Sequence, residues 1–260
     1  MSREHAEIEV RECRTIEEFD ACIVLQREAF GLPDLELTPR RHLIVSRKAG
    51  GWTLGAFHEE RLVGFVHHLA AVLEGDEIAG YSHMMAVALA YQNRGVGARL
   101  KWAQRERAVR EGRKLINWTW NPLQSRNAHF NLNRLGVIVR AYVANFYGTD
   151  YNTTPQAGRP HAEAPGIDSD RLFAEWHLDD TRVRVLAAGR EPLQRGTPAA
   201  TIEIPTDWST LMHTDASAAR QEQMRVRSEF EQAFAAGLVC AAFARDEARP
   251  RYLLYETDER

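Results

Sequence analysis

The sequence is poor in cysteine and has no long apolar run. Its 260 residues include three widely spaced cysteines, Cys13, Cys22 and Cys240, and no Cys-x-x-Cys pair, so neither a disulfide framework nor a metal site is predicted. No stretch approaches the ~20 apolar residues of a membrane span. The polar residues 1–9 lack the apolar segment of a signal peptide. We therefore expect a cytoplasmic protein with reduced thiols and no membrane contact.

The chain also lacks a strong excess of either charge. It has 33 Lys and Arg against 36 Asp and Glu, a formal net charge of −3, which gives no global reason to bind nucleic acid. The basic residues between Arg94 and Arg110 are interpreted as the solvated face of a helix. The alternative is that they form a basic stripe that binds nucleic acid. Hydrophobic residues make up 44% of the sequence, which is enough for a core.

The first half of the chain predicts an antiparallel meander followed by an α/β segment. Thr15 can cap a helix whose apolar residues recur at a helical period. Alternating apolar residues predict a meander of strands. After the glycine turn, the sequence predicts one more strand and then a helix that Ser125 caps and that ends at Gly136. The predicted strands are 8–13, 52–58, 62–72, 81–88 and 114–120.

One glycine turn indicates a site for an anion. The apolar strand 82–88 runs into Gln92-Asn-Arg-Gly-Val-Gly97, and a helix follows from Ala98. Gly95 and Gly97 are expected to take positive φ, and the first N–H groups of the new helix would point at a pyrophosphate. Leu100 stands where a dinucleotide fingerprint needs its third glycine, and no Gly-Lys-Ser/Thr triplet of a P-loop is present.

This Gln-x-x-Gly-x-Gly turn, with the strand before it, resembles motif A of the GCN5-related N-acetyltransferase (GNAT) superfamily. Asn127 and Leu135-Gly136 stand where that family's motif B has an Asn and a Leu-Gly. The resemblance covers residues 8–150 and implies a mixed, mostly antiparallel central sheet flanked by helices. It also implies acyl-coenzyme A as the co-substrate.

A narrower resemblance concerns a branch of predicted acyltransferases. Residues 121–136, 145–148 and 170–176 look like that branch, some of whose members are similar to enzymes that N-acylate amino acids and are encoded beside N-acylamino-acid racemases. It implies acetyl-coenzyme A or another thioester such as succinyl-coenzyme A as donor, and a small-molecule amine as acceptor.

The resemblance assigns most of the coenzyme A contacts to the strand, the turn and the helix start. The main chain of the strand end would pair with the pantetheine amides, and the N–H of Val87 or its neighbour would stabilise the oxyanion. The predicted cofactor-binding residues are Met85, Ala86, Val87, Gln92, Asn93, Arg94, Gly95, Val96, Gly97, Ala98, Arg99 and Asn127.

His83 is the first candidate for the general base. Residues 81, 83, 85 and 87 are expected to share one face because strand side chains alternate, and an imidazole can accept an amine proton near neutral pH. Family members of the serotonin type have two histidines two apart on this strand; His83 occupies the second place and Tyr81 the first. His67 and His68 are the weaker candidates, and one of them must face away from the other.

The general acid is harder to place. Relatives have a Tyr four residues before the Gly that ends the motif B helix, and here that residue is Leu132. Tyr142 and Tyr147 are the alternative acids; otherwise coenzyme A leaves unassisted, which a thiol pKa of ~8.5 permits.

The later part of the chain predicts an α/β extension. Residues 152–168 are rich in Thr, Pro, Gly and Ala, a composition that predicts a long loop or linker. We therefore predict an acyl-coenzyme A domain over residues 1–151 and an extension over 152–260, which would form the acceptor side, a dimer contact or a degenerate second GNAT half. The predicted extension has strands at 172–178, 183–188, 201–204, 238–244 and 251–256 and a helix at 216–236.

The sequence thus predicts an N-acyltransferase of the EC 2.3.1 type that acts on a small primary amine, with an amino acid as the favoured acceptor. Direct transfer in a ternary complex is expected, because no cysteine lies within the motifs to carry the acyl group. The alternative is a noncatalytic coenzyme-A-binding module with a degenerate site. A homodimer is compatible with either.

Overall fold

The computed structural model describes residues 8–31, 34–75, 77–148 and 167–257. The chain divides into two compact units, Met1–Ile116 and Asn117–Arg260. This division does not coincide with the domains predicted from the sequence, whose boundary at 151/152 lies outside the described residues. The architecture is mixed α/β, with mostly antiparallel strands flanked by helices.

The first unit contains the predicted antiparallel meander. Its described strands are β1 Ile8–Glu12, β2 Trp52–His58, β3 Arg61–Val72 and β4 Ile78–Val87. They pair in this order, each antiparallel to its neighbour. The polar turn between β2 and β3 places Glu59 at φ 55°, in the left-handed region that lets two twisted strands reverse direction.

Three longer helices accompany these strands among the described residues: α1 Ile16–Phe30, α2 Arg40–Lys48 and α3 Val96–Arg110. The predicted cap of α1 is confirmed, because the Thr15 side chain accepts from the Glu18 N–H and the Glu18 carboxylate accepts from the Thr15 N–H. Helix α2, which the sequence reasoning missed, begins after Pro39 and buries Leu43 and Ser46.

The sheet of the first unit has two buried faces. One apolar cluster contains Phe19 of α1 and Leu43 of α2 together with Phe65 of β3 and Ala86 of β4. We call this side of the sheet the α1/α2 face. The other cluster joins Trp52 and Val66 to Val96 and Leu100 of α3, and we call it the α3 face. Alternate residues of each regular strand segment therefore point to different helices.

The second unit is also built of antiparallel strands. The bounds are β5 Leu115–Trp120, which begins at the end of the first unit, β6 Ile138–Val143, β7 Arg171–His177, β8 Ala200–Glu203, β9 Val239–Ala244 and β10 Arg251–Tyr255. β6 pairs with β7 and, through Val139 and Cys240, with β9, while β10 lies between β9 and β8. The rings of Phe230 and Phe243 each pack edge to face against that of Tyr252 in the core of this unit.

Two local predictions for the second unit were wrong. Of the predicted strand 183–188, residues 183–187 lie in a helix and Ala188 is its C-terminal cap; the Asp180 carboxylate caps the start of this helix through the Arg182 N–H. Ser125 is not a cap: it is the first helical residue, after Gln124. The helices are α4 Ser125–Ala128, which continues as a π-helical segment His129–Arg134, then α5 Thr181–Ala187, α6 Trp208–Thr214 and α7 Ala216–Ala235. None of the described helices combines the length and apolar character needed to cross a membrane.

Candidate functional site

The turn between β4 and α3 has the backbone that an anion site requires. After a short 3₁₀ turn, Leu89–Tyr91, the chain enters the left-handed region twice, at Asn93 with φ 60° and at Gly95 with φ 80°. The Gln92 side-chain amide donates to the Val87 carbonyl at 3.1 Å, which ties the turn to the end of β4. We call residues 92–97 the anion turn.

Helix α3 begins at this turn without a side-chain cap. Gly95 occupies the cap position and its carbonyl accepts from the Arg99 N–H at 3.0 Å. The N–H groups of the first helical turn have no acceptor within an α-helix, and the helix dipole adds a partial positive charge there. A glycine at the cap leaves these N–H groups accessible to a ligand, which is the geometry that binds phosphate in other proteins.

The two glycines of the anion turn have different roles. Gly95 has the predicted positive φ, whereas Gly97 lies within α3 and does not. A Cβ on Gly97 would lie 3.4 Å from the Met85 Cε and 3.9 Å from the Val87 Cγ2, which are ordinary contacts. The prediction of a positive φ at Gly97 was therefore wrong, because the helix begins one residue after Gly95.

The two arginines beside the anion turn also differ. The Arg99 guanidinium donates to the Ile8 carbonyl of β1, which directs it toward the edge strand. Arg94 is exposed, with its Cζ 5.7 Å from the centre of the Tyr91 ring. The Tyr91 hydroxyl in turn lies 2.8 Å from the His58 Nδ1. Of these two arginines, Arg94 is the better placed beside the turn to meet a phosphate.

A β-bulge in β4 changes the direction of its side chains. His67 is paired with Met84 and His68 with Ser82, so His83 has no opposite residue on β3. The bulge interrupts the alternation of faces. Met85 and Val87 pack with the α3 cluster, while Met84 and Ala86 pack with the α1/α2 cluster.

The predicted common face of residues 81, 83, 85 and 87 is therefore wrong. Ser82 faces α3, since its hydroxyl accepts from the Lys101 Nζ at 3.0 Å, yet Met85 faces α3 as well. An unbroken strand would place residues 82 and 85 on opposite faces. The extra residue explains this, and it leaves His83 on the α1/α2 face.

Three histidines meet on the α1/α2 face. His42 of α2, His67 of β3 and His83 of β4 each contribute one ring nitrogen, and the three nitrogens all lie within 4.8 Å of one another. The ring centres are 5.5 Å apart for His42 and His67 and 5.8 Å apart for the other two pairs. His67 is buried, whereas His42 and His83 are exposed. We call these residues the histidine cluster.

Desolvation lowers the pKa of two members of the histidine cluster, His67 and His83. Desolvation, followed by the proximity of His83 and His42, lowers the pKa of His67 to about 3. Partial desolvation by the surrounding protein atoms, followed by the nearby His42, also lowers the pKa of His83. A neutral imidazole has a ring nitrogen whose lone pair can accept a proton or bind a metal ion.

The two adjacent histidines of β3 point to opposite faces, as predicted. The His68 ring stacks on Trp52 at 4.0 Å, and its Nδ1 lies 3.2 Å from the Gln104 Nε2 of α3. His67 instead places its Nδ1 2.8 Å from the Thr53 Oγ1. His68 therefore belongs to the α3 face and is not part of the histidine cluster.

The other predicted site residues lie in the second unit. The Asn127 Nδ2 donates to the Gln124 Oε1 at 2.6 Å, and Leu132, at the usual place of the acid, is fully buried. The Tyr142 hydroxyl donates to the Asp170 Oδ2 at 2.5 Å. Burial and this carboxylate raise the pKa of Tyr142. Tyr147 is 42% exposed, with its hydroxyl 3.4 Å from the Thr119 Oγ1.

The two tyrosines are expected to respond differently to loss of the hydroxyl. Tyr142→Phe should lower the free energy of unfolding by about 1–3 kcal/mol, because the buried Asp170 loses a hydrogen bond. Tyr147→Phe should change it by less than about 0.5 kcal/mol, since Tyr147 is 42% exposed and the contact of its hydroxyl with Thr119 is long, at 3.4 Å. Urea unfolding of the two variants measures both values. Equal losses would contradict the structural role of Tyr142.

Comparisons with known proteins agree with this architecture. Residues 16–136, a little under half of the chain, match the sequence model of the acetyltransferase (GNAT) family. A solved GNAT-family structure from Desulfovibrio desulfuricans is 14% identical and covers 66% of this chain and 99% of that one, with a TM-score of 0.51. The fold is therefore the GNAT fold. No curated protein matches the chain.

Two further solved structures are similar at lower scores. The ribosomal-protein-S18-alanine N-acetyltransferase of Escherichia coli is 11% identical and covers 67% of this chain and 96% of that one, with a TM-score of 0.49. A GNAT family acetyltransferase of Elizabethkingia anophelis with acetyl-CoA bound is 16% identical and covers 65% of this chain and 97% of that one, with a TM-score of 0.47.

Proposed function

We propose that this chain is an acyl-coenzyme-A-dependent N-acyltransferase that acts on a small primary amine. The observation that carries the proposal is the uncapped start of α3 at the anion turn, within the segment that matches the acetyltransferase family. An uncapped helix start alone fits many anions. Its position directly after the bulged strand with His83 favours an acyl-coenzyme A, whose pyrophosphate would bind the first N–H groups of α3.

The strand end would hold the pantetheine arm. The main chain of Met85 and Ala86 is proposed to pair with its amides in the manner of an added strand. The Gln92 side chain occupies one lone pair of the Val87 carbonyl. We propose the N–H of Val87 as the oxyanion donor. The roles of Asn127 in binding pantetheine and of Tyr147 as an acid remain proposals that rest on the sequence.

His83 is the proposed general base. The amine nitrogen attacks the thioester carbonyl, the C–N bond forms and the C–S bond breaks. The proton of the amine passes to the neutral His83 ring, and the sulfur leaves as a thiolate that can also take its proton from water. Because His83 lies on the α1/α2 face, we propose that the acceptor binds on the side of the sheet that those helices cover.

An amino acid is the proposed acceptor, and acetyl or succinyl the proposed acyl group. The support is the narrower sequence resemblance described above. A succinyl donor would bring a carboxylate, which an arginine fork binds well, and Arg126 and Arg134 lie in the motif B segment.

A screen of amines against both donors tests the proposed function. Wild-type protein is incubated with acetyl- or succinyl-coenzyme A and with the L or D enantiomer of each amino acid. The release of free coenzyme A thiol is followed over time. We expect amine-dependent release that saturates with at least one acceptor. If coenzyme A stabilises the protein against heat but no amine on the panel raises thiol release, the chain is a noncatalytic coenzyme-A-binding module.

A further inference from the structure

The histidine cluster has more nitrogen ligands than a single proton transfer needs. A general base requires one imidazole, yet His42 of α2 and His67 of β3 place ring nitrogens within 4.8 Å of that of His83. The three residues come from three different elements of the first unit. Imidazole is a preferred ligand of zinc, copper and nickel ions, and three histidines with one open position form a common zinc-binding set.

His67 supplies an independent observation that points to a ligand. Its Nε2 is fully buried and has no hydrogen-bond partner among the described residues. Its Nδ1 lies 2.8 Å from the Thr53 Oγ1, which fixes the orientation of the ring. Buried polar atoms without a partner are rare. In a metal-binding histidine, one ring nitrogen usually forms a hydrogen bond to a neighbouring group, and the other binds the ion.

The spacing of the nitrogens permits an ion after a small adjustment. Zinc–nitrogen bonds of about 2.0–2.1 Å place the nitrogens of a tetrahedral site roughly 3.4 Å apart. The observed limit of 4.8 Å between the ring nitrogens exceeds this spacing by about 1.4 Å. His42 and His83 are exposed, so their side chains can rotate toward the fixed ring of His67 without repacking the core.

We propose that His42, His67 and His83 bind one divalent transition-metal ion of the zinc class and leave one coordination position open. Thr53 is a positioning residue in this site, since it holds the His67 ring through Nδ1. The metal would bind the same lone pair of His83 that accepts the amine proton. The further consequence, that the bound ion inhibits acyl transfer, rests on the proposed function.

Direct titration of metal tests the site without any measurement of activity. Chelator-treated protein without an affinity tag is titrated with zinc chloride by calorimetry and with cobalt chloride by visible spectroscopy. We expect one ion per chain and a visible cobalt band typical of low coordination number. The thiols of Cys13 and Cys22 are fully buried, and a thiolate charge-transfer band in the cobalt spectrum would contradict the proposed histidine ligands.

Matched variants identify the ligands. His42→Ala and His83→Ala remove exposed side chains, so both should fold, and each should weaken zinc binding by more than about 100-fold because it removes a direct ligand. Thr53→Val should weaken it by roughly 10–100-fold, as loss of an outer-shell partner does. The control is His58→Ala, which removes a histidine of the same unit that contacts Tyr91 and should leave the affinity unchanged.

Two results would overturn the proposal. One is the absence of zinc binding by wild-type protein; the other is equal affinity in wild type, His42→Ala and His83→Ala. Neither result depends on an acceptor, so a failed amine screen does not affect this test. Conversely, wild-type protein that binds no zinc but needs His83 for acyl transfer would contradict the metal site and still support the proposed function.

Discussion

Gly97→Val is expected to abolish the thermal stabilisation of the protein by coenzyme A while the free protein stays folded. Gly97 lies in the first turn of α3, beside the side chains of Met85 and Val87 of β4. The methyl groups of a valine at this position would occupy the space next to the N–H groups that are proposed to bind the pyrophosphate. Overpacking of this kind typically lowers the free energy of unfolding by about 1–3 kcal/mol, which is less than the total stability of a typical domain, so the free protein should stay folded.

Gly97→Ala is the matched control. A single Cβ at this position meets the Met85 Cε at 3.4 Å, an ordinary contact, so alanine should bind coenzyme A nearly as well as glycine does. Gly97 has no positive φ, and neither substitution therefore strains the backbone. Alanine should stabilise the free helix by about 1 kcal/mol because its helix propensity exceeds that of glycine.

Calorimetric titration with coenzyme A, together with melting curves of the free proteins, separates binding from folding. We expect wild type and Gly97→Ala to bind coenzyme A with similar affinity. Gly97→Val should bind it far more weakly than either. Normal binding by a folded Gly97→Val protein would show that the phosphates do not bind at the anion turn.

His83→Ala should lower the turnover number by ~10²–10⁴ with little change in the affinity for the donor, the usual effect of losing a general base. The reason is geometric as well as chemical. The β-bulge places His83 on the α1/α2 face. Its neutral ring can accept the proton that the amine loses as the C–N bond forms.

The control for this variant is His213→Ala, which removes an exposed histidine of α6 whose Nδ1 lies 2.6 Å from the Ser209 carbonyl. Steady-state kinetics with saturating donor and acceptor, in metal-free buffer, give the turnover number of each protein. If His83→Ala and His213→Ala have the turnover number of wild type, His83 is not the base and one of the other groups on the α1/α2 face must accept the proton.

The features that depend on local chemistry were predictable from the sequence. The anion turn has a glycine where the left-handed region requires one, and the cap of α1 has Thr15 and Glu18 at the spacing that lets each satisfy the other. The order β2-β3-β4 in the first unit also follows from alternation and short turns. Each of these signals lies within a few adjacent residues.

The features that depend on register and packing were not predictable. The bulge at His83 exists only because β3 and β4 pair in a particular register, and it redirects a side chain that an unbroken strand would aim elsewhere. His42 was missed because α2 was missed. The signal that could have found this helix is Pro39 before it, with Leu43 and Ser46 as its buried residues. Helix α5 was read as a strand because its apolar residues alternate locally, whereas Asp180 and burial of Val183 favour the helix.

The identity of the product tests the central claim most directly. Wild-type protein is given acetyl-coenzyme A labelled with carbon-13 in the acetyl carbonyl and the best acceptor of the amine screen, and the mixture is followed by mass spectrometry. We predict a labelled N-acyl amine that forms at the same rate as free coenzyme A, with no labelled acyl group on the protein. Release of coenzyme A together with labelled free acetate, and without the amide, would contradict the assignment as an N-acyltransferase.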